Sequence, residues 1–214
     1  MRVVVHEGDY SDASRTKIGG MNFSSSKPLF VAAVDGEASE LPEGTEVLVT
    51  GIGTLPAAIT LAKALAEADE LPSRVVNIGT AGALRDGLVG VFEVDSVTKH
   101  DFFLEDHSGI QQYLLPETIE VETSGRLPTA SLATGDTFIG DSKTRERLAQ
   151  RAGLCDMEGY AVAAVCERFG VPYTLLKQVS DSADEVAEEA WADAVDQGAR
   201  QLVSALTDLG FIES

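Results

Sequence analysis

The sequence predicts an α/β domain, a mainly parallel sheet with helices over both faces. Two observations carry that expectation. Apolar runs of strand length alternate along the chain with longer stretches of helical period. Glycine-rich or acidic turns follow the runs, as they do where strands hand over to helices. At 214 residues the chain fits one domain and can bury a core without disulfide or metal support.

The elements follow in order. Residues 1–28 are polar, contain Ser24, Ser25 and Ser26, and lack a sustained period, so they are expected to form a loosely attached N-terminal extension, with Met21 as an alternative start. A domain is expected over 29–214. Residues 29–34 (Leu-Phe-Val-Ala-Ala-Val) and 46–50 (Glu-Val-Leu-Val-Thr) read as buried strands. After the turn Gly51-Ile52-Gly53 a helix starts near Thr54, with Pro56 in its first turn, where a missing N–H costs little. A third strand, 74–78, runs into Gly79-Thr80-Ala81-Gly82, and strand-like stretches recur near 89–98, 118–123 and 129–134. Helices are expected over 142–152, capped by Asp141 or Ser142, over 159–169, and over about 186–209. In the last of these, Ala187, Ala190, Trp191, Ala194, Val195, Leu202, Val203 and Leu206 fall largely on one stripe. A buried strand over 173–176 lies between the last two.

Composition excludes several functions. Sixteen basic against 35 acidic residues give a net charge of −19, a field that repels polyanions. Neither nucleic acid nor an anionic membrane is an expected partner. An apolar content of 44% separates the chain from disordered acidic proteins. No apolar run approaches the roughly 18–20 residues of a membrane span, and the N-terminus lacks a signal-peptide core. Cys155 and Cys166 match no zinc spacing and read as reduced, partly buried thiols. A cytoplasmic protein is expected.

In an open α/β sheet ligands bind at the carboxyl ends of strands. Those ends carry Asp35-Gly36-Glu37, the Gly79–Gly82 turn, the segment 134–139 (Thr-Gly-Asp-Thr-Phe-Ile) and the segment 180–184 (Ser-Asp-Ser-Ala-Asp), with Glu158 at a helix entry. Each has an ordinary reading as well. Gly51-Ile52-Gly53 lacks the third small residue of a dinucleotide loop, because Pro56 stands there, and reads better as a tight turn. Asp181 could cap the last helix, Glu158 could favour the positive end of its own helix, and Glu37 could be solvated surface. His6, His100 and His107 are scattered. Lys177 ends an apolar strand, where a charge needs a reason.

Taken together, residues 133–139 (Ala-Thr-Gly-Asp-Thr-Phe-Ile), 156–158 (Asp-Met-Glu) and 179–184 (Val-Ser-Asp-Ser-Ala-Asp) resemble the nucleoside phosphorylase and nucleosidase superfamily. The resemblance is strongest to the bacterial 5′-methylthioadenosine/S-adenosylhomocysteine nucleosidases, and residues 31–37 and 77–82 support it. It implies a three-layer α/β/α sandwich around a twisted mixed β-sheet, and N-glycosidic hydrolysis of a purine nucleoside that releases adenine. Neither a metal nor an organic cofactor is implied, and a homodimer is implied by analogy. By the resemblance, Asp181 is the acid that protonates N7 of the leaving purine, and Glu37 polarises the attacking water. Glu158 binds ribose hydroxyls, Met157 packs on the sugar, Phe138 stacks on the base and the Ile139 backbone reads the base edge. Thr80, at a position usually held by serine, lies near the water. Ser180 and Lys177 complete the substrate-binding set, with Trp191 beside the 5′ substituent.

The chemistry fits these residue types. An oxocarbenium-like sugar favours nearby negative charge, and the base must leave with a proton. A free aspartate is ionised at neutral pH, so an acid here needs burial or a proton shared with the purine. Phosphorylases hold an anionic nucleophile with arginines. Where they place them, this chain has the apolar stretch around Val91 and the acidic Asp35-Gly36-Glu37, and Arg85 does not match their pattern. Hydrolysis is therefore favoured over phosphorolysis by a purine nucleoside phosphorylase. A futalosine-type hydrolase and a catalytically silent nucleoside-binding protein are also compatible with the resemblance. Two departures from the family stand out: Lys177 in place of arginine, and Asp156 in place of glutamate.

Overall fold

The computed structural model describes residues 4–5, 23–102 and 109–213, with only the backbone described at 4–5, 111 and 188–197. Among the described residues are nine strands interspersed with four α-helices: β1 (Val4–Val5), β2 (Pro28–Ala32), β3 (Val47–Val49), α1 (Thr54–Glu67), β4 (Arg74–Ala83), β5 (Val91–Lys99), β6 (Thr118–Glu120), β7 (Thr129–Thr134), α2 (Ser142–Ala149), β8 (Leu154–Asp156), α3 (Gly159–Phe169), β9 (Tyr173–Asp181) and α4 (Ala187–Leu209). The helix starting at Thr54, the helix over 159–169 and the strand over 129–134 lie where the period places them. Most of the extension lies outside the described residues, as do His6 and His107. Within it, Val4–Val5 pairs in parallel with β3, and Phe23 is buried in the core.

The strands form one mixed sheet. β4 lies at its centre, parallel to β2 on one side and to β9 on the other. Its last residues, Gly82 and Ala83, turn to pair antiparallel with β8. β8 continues to β7, β7 to β5, and β5 returns to β9, so β4, β9, β5, β7 and β8 close into a ring. The closure tightens the twist and draws the ends of β4, β8 and β9 together.

Alternation along the central strands explains burial on both faces. Leu29, Val31, Val75 and Leu175 pack with Leu61 and Leu65 of α1 and Val162 and Cys166 of α3. Their neighbours Phe30, Ala32, Val76, Ile78 and Leu176 face the other way, toward Leu202 and Leu206 of α4. A helix layer on each side therefore gives the three-layer sandwich. Asp141 caps α2, its carboxylate accepting from Thr144 N at 2.8 Å. No helix among the described residues is long and apolar enough to cross a membrane.

Candidate active site

The converging strand ends leave a cleft of about 370 Å³, within the size range of small-molecule sites (about 300–1,000 Å³). Glu37, Glu158 and Asp181 all line it, although they come from well-separated parts of the chain. Thr80, Phe138, Ile139, Met157 and Ser180 line it as well.

Glu37 sits in a short 3₁₀ turn, Asp35–Ala38, directly after β2. Its carboxylate is buried and accepts from Ala33 N at 3.0 Å, Thr80 N at 2.8 Å and Thr80 Oγ1 at 3.0 Å. The strand end of β2 and the middle of β4 thus hold it from opposite sides. Gly79 makes this approach possible, since a Cβ there would lie 2.9 Å from Glu37 Oε1.

Asp181 is aimed by a bulge. Ala81 of β4 pairs with Val179, but Gly82 pairs with Asp181, so Ser180 is the extra residue. Ser180 Oγ donates to Asp181 Oδ2 at 2.7 Å and Ala183 N donates to Oδ1 at 2.8 Å. Ala183 adopts a left-handed φ of 51°, uncommon outside glycine, and this tight turn presents the carboxylate. Because α4 begins at Ala187, Asp181 does not cap it. A Cβ on Gly82 would lie 2.9 Å from Asp181 Oδ1, and only 3.1 Å from both Cys155 Sγ and Ala183 Cβ. Gly82→Ala should therefore displace the carboxylate and cut kcat by about tenfold or more, while the far-ultraviolet circular dichroism stays that of the folded protein. Unchanged kcat in that variant would show that turnover does not depend on the close approach of Gly82 to the Asp181 carboxylate.

Glu158 stands at the N-cap position of α3, but its side chain makes no capping hydrogen bond to that helix. Its carboxylate reaches the turn before α1, where Oε1 accepts from Gly53 N at 2.8 Å. The positive φ values of Gly51 (84°) and Gly53 (105°) shape that turn. Two residues earlier, Asp156 Oδ1 accepts from Thr134 Oγ1 at 2.6 Å, and Oδ2 lies 2.8 Å from Lys177 Nζ. Lys177 is thus the fully buried counter-charge beneath the cleft floor rather than a lining residue. Burial by itself would lower its ammonium, but Asp156, Glu158 and Glu37 outweigh this and hold it above the usual lysine value.

Burial pushes the Glu158 carboxyl up to about 8, with the Asp156 charge adding to the effect and Lys177 and the Gly53 N–H opposing it. An unfolded glutamate titrates near about 4.3. Between those values the folded protein keeps a proton that the unfolded chain has released, so stability falls as pH rises, by at most about 1.4 kcal/mol per pH unit. Glu158→Gln keeps an oxygen for Gly53 N and cannot ionise. Thermal melts of this variant between about pH 5 and 8 should show a shallower decline than those of the wild type. Parallel curves would place the titration elsewhere.

The profile of the phosphorylase superfamily matches residues 110–210. A 5′-methylthioadenosine/S-adenosylhomocysteine nucleosidase of Shewanella sediminis is 32% identical over 178 residues, which is 72% of this chain and 76% of that protein. The chain belongs to the methylthioadenosine/adenosylhomocysteine nucleosidase family. The Shewanella oneidensis nucleosidase is 31% identical over 162 residues, 66% of this chain and 69% of its own. Among solved structures, the Streptococcus pneumoniae nucleosidase in complex with 8-aminoadenine aligns with TM-score 0.74 at 21% identity, covering 86% of this chain and 99% of that one. Futalosine hydrolase of Helicobacter pylori aligns with TM-score 0.73 at 22% identity, covering 87% and 97%. These two likenesses establish a common fold.

Within this nucleosidase-family cleft the structure brings together eight of the ten residues singled out from sequence. Lys177 lies below it, and the side chain of Trp191 lies outside the described residues. His100 is buried at the end of β5 and does not line the cleft. Sequence reasoning missed Ala33, Val34, Ile52, Thr137 and Cys155 as lining residues. They stand in or just beyond short strands, where small or apolar types give no chemical signal. Arg85, the one arginine weighed as an anion ligand, instead donates from Nε to Ala149 O. No arginine or lysine is among the described residues lining the cleft.

Proposed function

We propose that the protein hydrolyses the N-glycosidic bond of a purine nucleoside, with 5′-methylthioadenosine and S-adenosylhomocysteine as substrates and adenine as the released base. The observation that carries this reading is the lining of one cleft by Glu37, Glu158 and Asp181, with the half-exposed ring of Phe138 beside them. Each group has a role that suits its surroundings. Asp181, held by Ser180 Oγ and Ala183 N, is placed to pass a proton to N7 of the departing purine. Glu37 accepts from backbone and side-chain donors on two strands and orients water toward C1′ of the sugar. Glu158 meets the ribose hydroxyls, and Met157 and Phe138 pack on sugar and base. Glu37 and Asp156, whose charges also act on Lys177, leave the sugar in a negative field that favours oxocarbenium character in the transition state. Glu158 can meet the ribose hydroxyls as a protonated carboxyl.

The same field disfavours a phosphate nucleophile, which supports water as the acceptor. We also infer a homodimer in the cytoplasm. Ile52, Leu55 and Ile59 form an exposed apolar stripe beginning at the cleft mouth, a surface suited to a second copy of the chain. Incubation with methylthioadenosine, adenosylhomocysteine, inosine and futalosine, followed by chromatography of the free base, tests the substrate assignment. Adenine from the first two is the expected result. Base release from futalosine alone, or from none of the four, would overturn it.

A further inference from the structure

Asp136 belongs to the segment that gives the site Phe138 and Ile139, yet it does not line the cleft. Its carboxylate crosses to the first turn of α1 instead. Oδ1 accepts from Thr54 N at 2.6 Å and Oδ2 accepts from Thr54 Oγ1 at 2.5 Å, across 82 positions of sequence. The approach is tight, because a Cβ on Gly53 would sit 3.1 Å from Asp136 Oδ1. The other side of the segment is held as well: Asp136 N donates to Asp101 Oδ2 at 2.7 Å, just past the end of β5. The same α1 turn gives Gly53 N to Glu158 and supplies Ile52 to the cleft wall. One helix N-terminus therefore receives a carboxylate from the segment bearing Phe138 and another from the group assigned to the ribose.

We propose that Asp136 is a positioning residue that sets the width of the base pocket by tying the Phe138–Ile139 segment to the α1 turn. The inference rests on the nucleoside reading above and adds a specificity role for a residue outside the cleft. The tie fixes where the base lies in both the bound substrate and the transition state. Its loss therefore removes uniform binding and appears in KM rather than kcat. The two bonds need a fork of acceptor and partner rather than a charge. In Asp136→Asn the amide oxygen can still accept from Thr54 N, and the amide NH₂ can donate to the Thr54 hydroxyl.

The test compares Asp136→Ala, Asp136→Asn and Thr54→Val in the full chain. KM for methylthioadenosine and Kd for adenine, the latter by calorimetric titration, are measured with amide hydrogen exchange of residues 137–140. Asp136→Ala is expected to raise KM and Kd about tenfold with kcat within about threefold, and to speed exchange of those amides. Asp136→Asn should stay within about threefold of the wild type throughout, and Thr54→Val, which loses one bond, should fall between. Unchanged KM, Kd and exchange in Asp136→Ala would overturn the proposal. So would an Asp136→Asn variant as impaired as alanine, since that would make the effect one of charge. Should alanine fail to fold, Thr54→Val decides by the same KM and exchange criteria. A wild type that releases no base from any nucleoside would sink the proposed reaction, while the exchange comparison would still decide the tie.

Discussion

Asp181→Asn is expected to lower kcat for methylthioadenosine by about 10²–10⁴-fold while leaving ligand affinity within a few-fold of the wild type. The size follows from what the substitution keeps and what it removes. The amide oxygen still accepts from Ala183 N, and Ser180 Oγ can turn to accept from the new NH₂ group, so the strained turn after β9 stays intact. An amide can hydrogen-bond to N7 but cannot transfer a proton to it, so the purine must leave as a poorer leaving group. Steady-state kinetics paired with equilibrium titration of adenine separates the two effects. Turnover at the wild-type rate would show that the acid is a different group.

The second large effect concerns stability. Lys177 and Asp156 are both buried to within 2% of full exclusion and meet at 2.8 Å. Lys177→Met fills similar space and leaves Asp156 and Glu158 without their buried cation. Breaking such a pair costs about 3–5 kcal/mol, which for a domain of this size lowers Tm by roughly 6–20 °C. Joining it with Asp156→Asn should recover part of the loss, because an unpaired buried charge is costlier than an absent pair. Calorimetric scans of both variants provide the measurement, and a single variant as stable as the wild type would contradict the role. In the wild type the raised lysine value sets the sign with pH. The contribution is complete below the unfolded value of about 10.4 and is lost only as pH climbs through the higher folded value.

What the sequence could reveal followed from period and chemistry. α1, α3 and β7 showed themselves because their periods run for several residues without interruption. β8 did not, since Leu154-Cys155-Asp156 is too short to show alternation, and its pairing with the bent end of β4 is a tertiary event. The carboxylates Glu37, Glu158 and Asp181 were legible as acidic residues at element junctions of a kind that need a reason. What they bond to was not. Glu158 reaches α1 rather than its own helix, Ser180 bulges to turn Asp181, and Lys177 answers Asp156 from another strand. Each of these depends on how β4, β8 and β9 close together, and no local spacing encodes that. Gly79 and Gly82 read as turn residues. Both instead lie within β4, where the missing side chain leaves room for the Glu37 and Asp181 carboxylates, an approach from other elements that local spacing does not encode.

In the proposed reaction, acidic groups in the cleft orient water and disfavour an anionic nucleophile. The most direct test is adenine release from methylthioadenosine in phosphate-free buffer and in buffer with added phosphate, with the sugar product identified by mass. Equal rates and free methylthioribose in both buffers are the predicted outcome. A rate that requires phosphate, with a sugar 1-phosphate as the product, would contradict the assignment of Glu37 to water and of the cleft to hydrolysis.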